Sequence, residues 1–219
     1  MNEIILETAN YNSISLACQD ALINHKMVAI TGEPGLGKTT AVNSFKSTIA
    51  DNVFVVTVTK SMSAKIFYSS ILNTVGDKKF SSTQRLYFII QEAIHVFTNS
   101  VENKILIIDE AGRLTPNMIE YIHEFRDATK ENTGIVLLGV GYFEKNMIKW
   151  RDSEYIGIPE FYSRISSWLK LEKPTKNEII AIVRAYGVED EGFIKEVIGF
   201  NDFRKLTNSI HNYLTIMKH

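Results

Sequence analysis

A chain of 219 residues can bury one substantial core with a small appended unit. A composition that is 45% hydrophobic and 22% charged, with only 4 Pro and no low-complexity tract, is that of a globular protein and excludes extensive disorder or a long linker. The formal net charge of −1 excludes a globally basic nucleic-acid binder, so any such affinity has to come from local placement of cations.

The N-terminus, MNEIILETANYN, lacks a basic region followed by an apolar segment, and no apolar run approaches bilayer length. The expectation is a soluble, cytoplasmic protein. Residues 12–24 place Ile14, Leu16, Ala17, Ala21 and Leu22 on roughly one helical face, with Asn12 or Ser13 available as N-cap. This helix would precede the first strand. Its Cys18 is the single cysteine of the chain, which fits a core role in a reducing compartment better than redox chemistry.

A short apolar run at residues 27–30 leads into Gly32-Glu33-Pro34-Gly35-Leu36-Gly37-Lys38-Thr39, which fits the phosphate-loop pattern G-x-x-x-x-G-K-[ST], and a helical stretch follows from Thr40. Gly32, Gly35 and Gly37 are expected to free the backbone so that successive N–H groups face phosphate oxygens at a helix N-terminus. Lys38 would reach the β- and γ-phosphates, and the Thr39 hydroxyl would bind Mg²⁺, a hard cation that asks little more of the protein. Residues 53–59 (VFVVTVT) read as a buried strand, and residues 61–75 and 81–98 as helices separated by Gly76, Asp77, Lys78 and Lys79.

Residues 104–108 form the next strand and run straight into Asp109 and Glu110. In an open parallel sheet ligands gather at the carboxyl ends of strands, so Asp109 would stand near Mg²⁺ and Glu110 could polarise an attacking water as general base. Thr115 and Pro116 are a well-formed helix start for a segment reaching Lys130, whose His123 has no metal-like spacing and is given no role. Residues 135–140 are the fourth strand, residues 143–150 a helix, and residues 151–164 carry Gly157, Pro159 and few periodic signals. A fifth strand is expected at residues 167–171, just after Arg164. Beyond Pro174 only helices are expected, the last with a stripe of Phe203, Leu206, Ile210, Tyr213, Leu214 and Met217. The fold class is therefore α/β: a five-stranded parallel sheet flanked by helices, residues 1–173, with a three-helix lid, residues 174–219.

The segments MVAITGEPGLGKTTAV, LIIDEAGRL, FYSRISSWLKLEKPT and GFNDFRKLTNSI, in that order over nearly the whole chain, resemble the AAA+ ATPases, specifically the transposition regulators of the phage Mu B, TnsC and TniB group. The resemblance implies an AAA+ phosphate-loop core that hydrolyses ATP with Mg²⁺, with Lys38 and Glu110 catalytic and residues 32–40 holding nucleotide. It implies that Arg164 reaches into the neighbouring subunit's site and that Arg204 contacts phosphate from within its own subunit. It further implies a homo-oligomer, a ring or helical filament on duplex DNA without strong sequence preference, that serves a transposase. Lys60 and Lys65 match loops facing a central channel in that family, with Lys78 and Lys79 weaker choices for DNA. The chain departs from the pattern at LLGVGYF, where glycines stand in place of the polar side chain expected as first sensor. An AAA+ ATPase of a non-DNA process such as secretion, a small-molecule or nucleotide kinase, and a nucleotide-gated scaffold with little turnover are the alternatives.

Overall fold

Five strands, all parallel, lie in the order β2-β3-β4-β1-β5 in the computed structural model, which describes residues 5–76, 83–99 and 102–217. The strands are β1 (Met27–Thr31), β2 (Val53–Thr57), β3 (Lys104–Asp109), β4 (Thr133–Gly139) and β5 (Ile165–Lys170). Up to β5 the helices are α1 (Ala9–Asn24), α2 (Lys38–Thr48), α3 (Ala64–Val75), α4 (Leu86–Thr98), α5 (Pro116–Thr129), α6 (Gly141–Asp152) and α7 (Ile158–Arg164). They are followed by α8 (Lys176–Ala185), α9 (Glu191–Val197) and α10 (Phe203–Ile216). Lys78, Lys79 and the expected start of α4 at Ser81 lie outside the described residues.

The continuous apolar runs of β1, β3 and β4 are explained by burial on both faces. Successive residues alternate between two cores: Met27, Ala29, Leu106, Ile108, Ile135 and Leu137 pack with α3 to α7, while Val28, Ile30, Ile105, Ile107, Val136 and Leu138 pack with α1 and α2. A third core, centred on Ile179, Val183, Val197, Leu206 and Ile210, joins α8, α9 and α10 and takes in Leu6 from the N-terminal segment. The stripe on α10 narrows to Leu206 and Ile210 as its buried members, and Met217 is exposed.

Several boundaries differ from the sequence expectation. Thr8, not Asn12 or Ser13, caps α1, its side chain accepting from the Tyr11 N–H, and Leu16 faces outward at 65% exposure. The buried stripe is Asn10, Ile14, Cys18, Ala21 and Leu22, with polar Asn10 accepted because it bonds both to the Glu172 carbonyl and to the Glu172 N–H. Residues 151–164, expected to be irregular, contain α7. Seven residues are too few to show a period, yet Gly157 at φ 75° and Pro159 in the first turn punctuate its start, and Ile158 and Phe161 are buried three positions apart. The fifth strand begins two residues early, at Ile165, with a register irregularity opposite Met27 and Val28.

Cys18 is fully buried, and burial pushes its thiol up to about 12. A thiol reagent is expected to label Cys18 only as the chain unfolds. Labelling of the native protein at the rate of an exposed thiol would show that α1 opens.

Candidate nucleotide site

The parallel register brings Thr31 level with Gly139, and Thr57 level with Asp109, so the carboxyl ends of the strands form one edge. The chain leaving β1 is tied to this edge, with the Gly32 N–H bonded to the Gly139 carbonyl at 3.2 Å. Gly35 and Gly37 take φ of 84° and 82°, which side chains rarely adopt, and Gly37 is the N-cap of α2. The third glycine serves differently: Gly32 has no positive φ, but a Cβ there would stand 2.8 Å from that of Leu171. Its role is close packing, and Leu36 is likewise buried in the core below the loop.

The helix after the loop begins at Lys38, two residues before the expected Thr40, so Lys38 and Thr39 both belong to its first turn. The Lys38 ammonium donates to the carbonyls of Gly32 at 2.6 Å and Glu33 at 2.9 Å, lying along the loop it would fill with charge. Burial pulls its pKa below the ordinary value, while the carboxylates of Asp109, Glu110 and Glu33 act the other way.

Asp109 ends β3, and its Oδ2 accepts from the Thr39 hydroxyl at 3.1 Å, joining the two residues assigned to a metal from 70 positions apart. One carboxylate beside one hydroxyl is the hard-oxygen set that suits Mg²⁺, a cation that keeps waters and takes phosphate oxygens. Among the described residues no group of three or more His, Cys, Asp or Glu forms a fuller metal cage. The loop with its two left-handed glycines and this oxygen pair thus fit a Mg-nucleotide. Glu110 follows in the left-handed region at φ 56°, and Arg113 Nε donates to its Oε2 at 3.4 Å.

Around these groups lies a cleft of about 700 Å³, lined by Glu33, Pro34, Gly35, Gly37, Lys38, Thr39, Thr40, Asp109, Glu110 and Arg204 among others. Gly32 and Leu36 do not line it, although both belong to the motif. Arg204, in the first turn of α10, enters because the Phe203 N–H bonds to the Gly35 carbonyl at 2.9 Å, and its charge is felt at Lys38. Sequence reasoning passed over Arg113, Tyr142 and Lys145, which line the same cleft. The usable signal was their position just past the ends of β3 and β4. Beside Gly37 and Thr40 opens a smaller recess of about 80 Å³, lined by Leu6, Tyr11, Ile182 and Phe203, where α1 meets α8 and α10.

Arg164 is elsewhere. It is the last residue of α7, 45% exposed, and its guanidinium forks onto Asp127 of α5, Nε to Oδ1 at 3.0 Å and Nη2 to Oδ2 at 3.4 Å. This bond holds the Asp127 carboxyl below its ordinary range, and His123 Nε2 stands 3.3 Å from the same carboxylate. Arg164 therefore does not line the cleft of its own chain. Lys60, exposed in the turn after β2, lies on the strand-end edge, and Lys65 is half-buried in the first turn of α3; neither lines the cleft. The start of this segment is fixed by the Val58 N–H, which bonds to the Asp109 carbonyl at 2.9 Å.

Residues 23–147 match a family model described as AAA domain. The chain is 24% identical over 190 residues to the ATP-dependent target DNA activator B of Escherichia phage Mu, covering 85% of this chain and 57% of that protein. It is 27% identical over 192 residues to the Mu-like prophage FluMu DNA transposition protein B of Haemophilus influenzae, covering 87% and 64%. The chain thus spans less than two thirds of the length of these relatives. Among solved structures, its fold is similar to that of the Aeropyrum pernix ORC1 protein in complex with DNA, with a TM-score of 0.70 at 13% identity over 100% of this chain and 62% of that one. Domain III of the Thermotoga maritima replication initiation protein DnaA is similar at a TM-score of 0.62 and 17% identity, over 96% and 85%. No helix among the described residues is long and apolar enough to cross a membrane.

Proposed function

This chain belongs to the AAA domain family, and we infer that it is an ATP-hydrolysing protein that assembles on duplex DNA and directs a transposase to its target. The observation that carries the ATP part is the meeting of Lys38, Thr39, Asp109 and Glu110 at one edge of the sheet, in a cleft large enough for a nucleotide. In this reading the backbone from Gly35 to Thr39 and the Lys38 ammonium take the phosphates, Thr39 and Asp109 hold Mg²⁺, and Arg204 closes over them from the lid. The apolar recess by Leu6, Tyr11 and Phe203 takes the purine. Residues 1–173 act as the nucleotide-binding core and residues 174–219 as the lid. Held by Thr39 and Asp109, Mg²⁺ would supply neutralisation of the charge on the phosphoryl group. Glu110 accepts the proton of the attacking water, after its carboxylate leaves Arg113 or uses the oxygen that Arg113 does not occupy.

The DNA part draws on the Mu and Mu-like relatives, whose names speak of target DNA and DNA transposition. A net charge of −1 is compatible with it if each subunit neutralises only a few phosphates, through Lys60, Lys65 and neighbours, and the oligomer sums those contacts. Arg164, free of its own cleft and exposed, is the group that would complete a neighbour's site in a head-to-tail ring or helix.

The test is duplex-DNA binding with ATP, ADP or no nucleotide. Binding is expected with ATP only, weakening steeply with salt and little with base sequence. Lys38→Ala is expected to lose ATP binding in a direct assay and, with it, DNA binding. ATP affinity surviving in Lys38→Ala would remove Lys38 from the site. DNA binding indifferent to nucleotide would remove DNA from the ATP cycle.

A further inference from the structure

Arg164 and Asp127 meet on a part of the surface that the core holds still. Arg126, the neighbour of Asp127 on α5, is committed elsewhere, donating to the carbonyls of His25 at 2.7 Å and Thr133 at 3.0 Å. With Phe125 and Thr129 buried as well, the last turns of α5 are tied to the amino ends of β1 and β4. On the other side, buried Ile158 and Phe161 seat α7, the helix that Arg164 ends. His123, one turn before Asp127, fills the joint between the two helices. Its ring stands edge-on to that of Phe161 at 6.3 Å, and its buried Nε2 lies 3.3 Å from Asp127 Oδ2 without a hydrogen bond to any of the described residues.

The pairing uses one edge of the guanidinium. Nε and Nη2 donate to the two oxygens of Asp127, and Nη1 reaches Ser163 Oγ at 3.4 Å, which itself donates to the Glu160 carbonyl at 2.6 Å. What remains is one N–H on each terminal nitrogen, along the opposite edge, and that edge matches two oxygens of a phosphate. A long side chain already held in one orientation loses less freedom on meeting a phosphate than one that samples many rotamers. The charge of the carboxylate opposes the pull of the arginine on an anion. Asp127 is 45% exposed, however, so water screens much of that opposition, whereas the two bonds fix the direction of the guanidinium regardless of screening.

We infer that Asp127 is the positioning residue of Arg164: it holds the guanidinium by one edge so that the free edge is offered to the phosphate of a neighbouring subunit. Asp127 touches neither nucleotide nor metal and acts through Arg164 alone. Its platform is the anchored end of α5, and His123 backs the same Oδ2 that receives Nη2. The inference rests on reading Arg164 as a group that acts across a subunit interface.

The experiment measures ATP hydrolysis by concentrated, assembled protein and ATP binding by dilute subunits, for wild type, Asp127→Ala, Asp127→Glu, Arg164→Ala and the double variant Asp127→Ala/Arg164→Ala. Asp127→Ala is expected to cut turnover about 10²-fold, as for a reacting group displaced by a small distance, with ATP affinity unchanged. That retained affinity also reports a folded subunit. Asp127→Glu, which keeps a carboxylate on a longer stem, recovers part of the rate. The double variant is no slower than Arg164→Ala alone, because Asp127 has no second route to the reaction. Mixing then assigns the side of the interface: Asp127→Ala regains activity on co-assembly with Lys38→Ala, whose arginine is correctly held, and gains none with Arg164→Ala. Wild-type turnover in Asp127→Ala, a further loss in the double variant, or rescue by Arg164→Ala overturns the proposal. Wild-type turnover in Arg164→Ala instead removes the reading of Arg164 on which the proposal stands, a result distinct from these.

Discussion

Glu110→Gln is expected to bind ATP as wild type does and to hydrolyse it about 10² to 10⁴ times more slowly, the contribution of a positioned general base. The amide keeps the size and left-handed backbone of Glu110 but cannot accept a proton, and its pairing with Arg113 loses charge on one side. Both partners of that pair are about 43% exposed, so the lost ion pair costs little stability and the rate change is not a folding effect. Single-turnover hydrolysis and equilibrium ATP binding measured on the same preparation separate chemistry from affinity. ATP-bound complexes on DNA should live longer in the variant. Hydrolysis at the wild-type rate would mean that the acidic pair at the end of β3 serves the metal and that another group activates water.

Arg164→Ala is expected to leave ATP binding by dilute subunits nearly intact and to cut hydrolysis by about 10³ to 10⁵, the worth of an arginine that neutralises charge in a phosphoryl-transfer transition state. Arg164 is held by Asp127 on α5, outside its own cleft, which is where a residue acting on a neighbour would stand. Its pairing with Asp127 is a half-exposed surface ion pair, so losing it costs little stability and keeps the variant folded. The decisive measurement mixes Arg164→Ala with Lys38→Ala. One brings an intact phosphate site, the other an intact arginine, and head-to-tail contact builds a complete site from two inactive proteins. Activity should reappear on mixing. If the variants co-assemble and the mixture stays inactive, Arg164 does not act across an interface, and the Asp127 pair is its whole role.

The residues by themselves determined the parts of this protein whose physics is local. The phosphate loop is read from eight consecutive positions because left-handed glycines, a lysine and a hydroxyl have to follow one another there, and Gly35, Gly37, Lys38 and Thr39 stand accordingly. The central strands announced themselves as apolar runs because parallel strands covered on both faces need apolar residues through their interiors, which residues 27–30, 105–108 and 135–138 supply. The cap at Thr115 and Pro116 is equally local.

Tertiary structure alone decided what depends on distant partners. Gly32 looked like a conformational glycine, and only the approach of Leu171 shows that it is a packing one. Leu16 fitted the helical stripe of α1, but the face that meets the sheet is set by α1's packing on β4 and α2, and that leaves Leu16 in solvent. Arg164 could be located next to β5, yet its partner Asp127 lies 37 residues away on another helix. Arg113, Tyr142 and Lys145 belong to no contiguous motif. They become one surface because the parallel register aligns the ends of β3 and β4, and a register is a property of paired strands that no single stretch of chain contains.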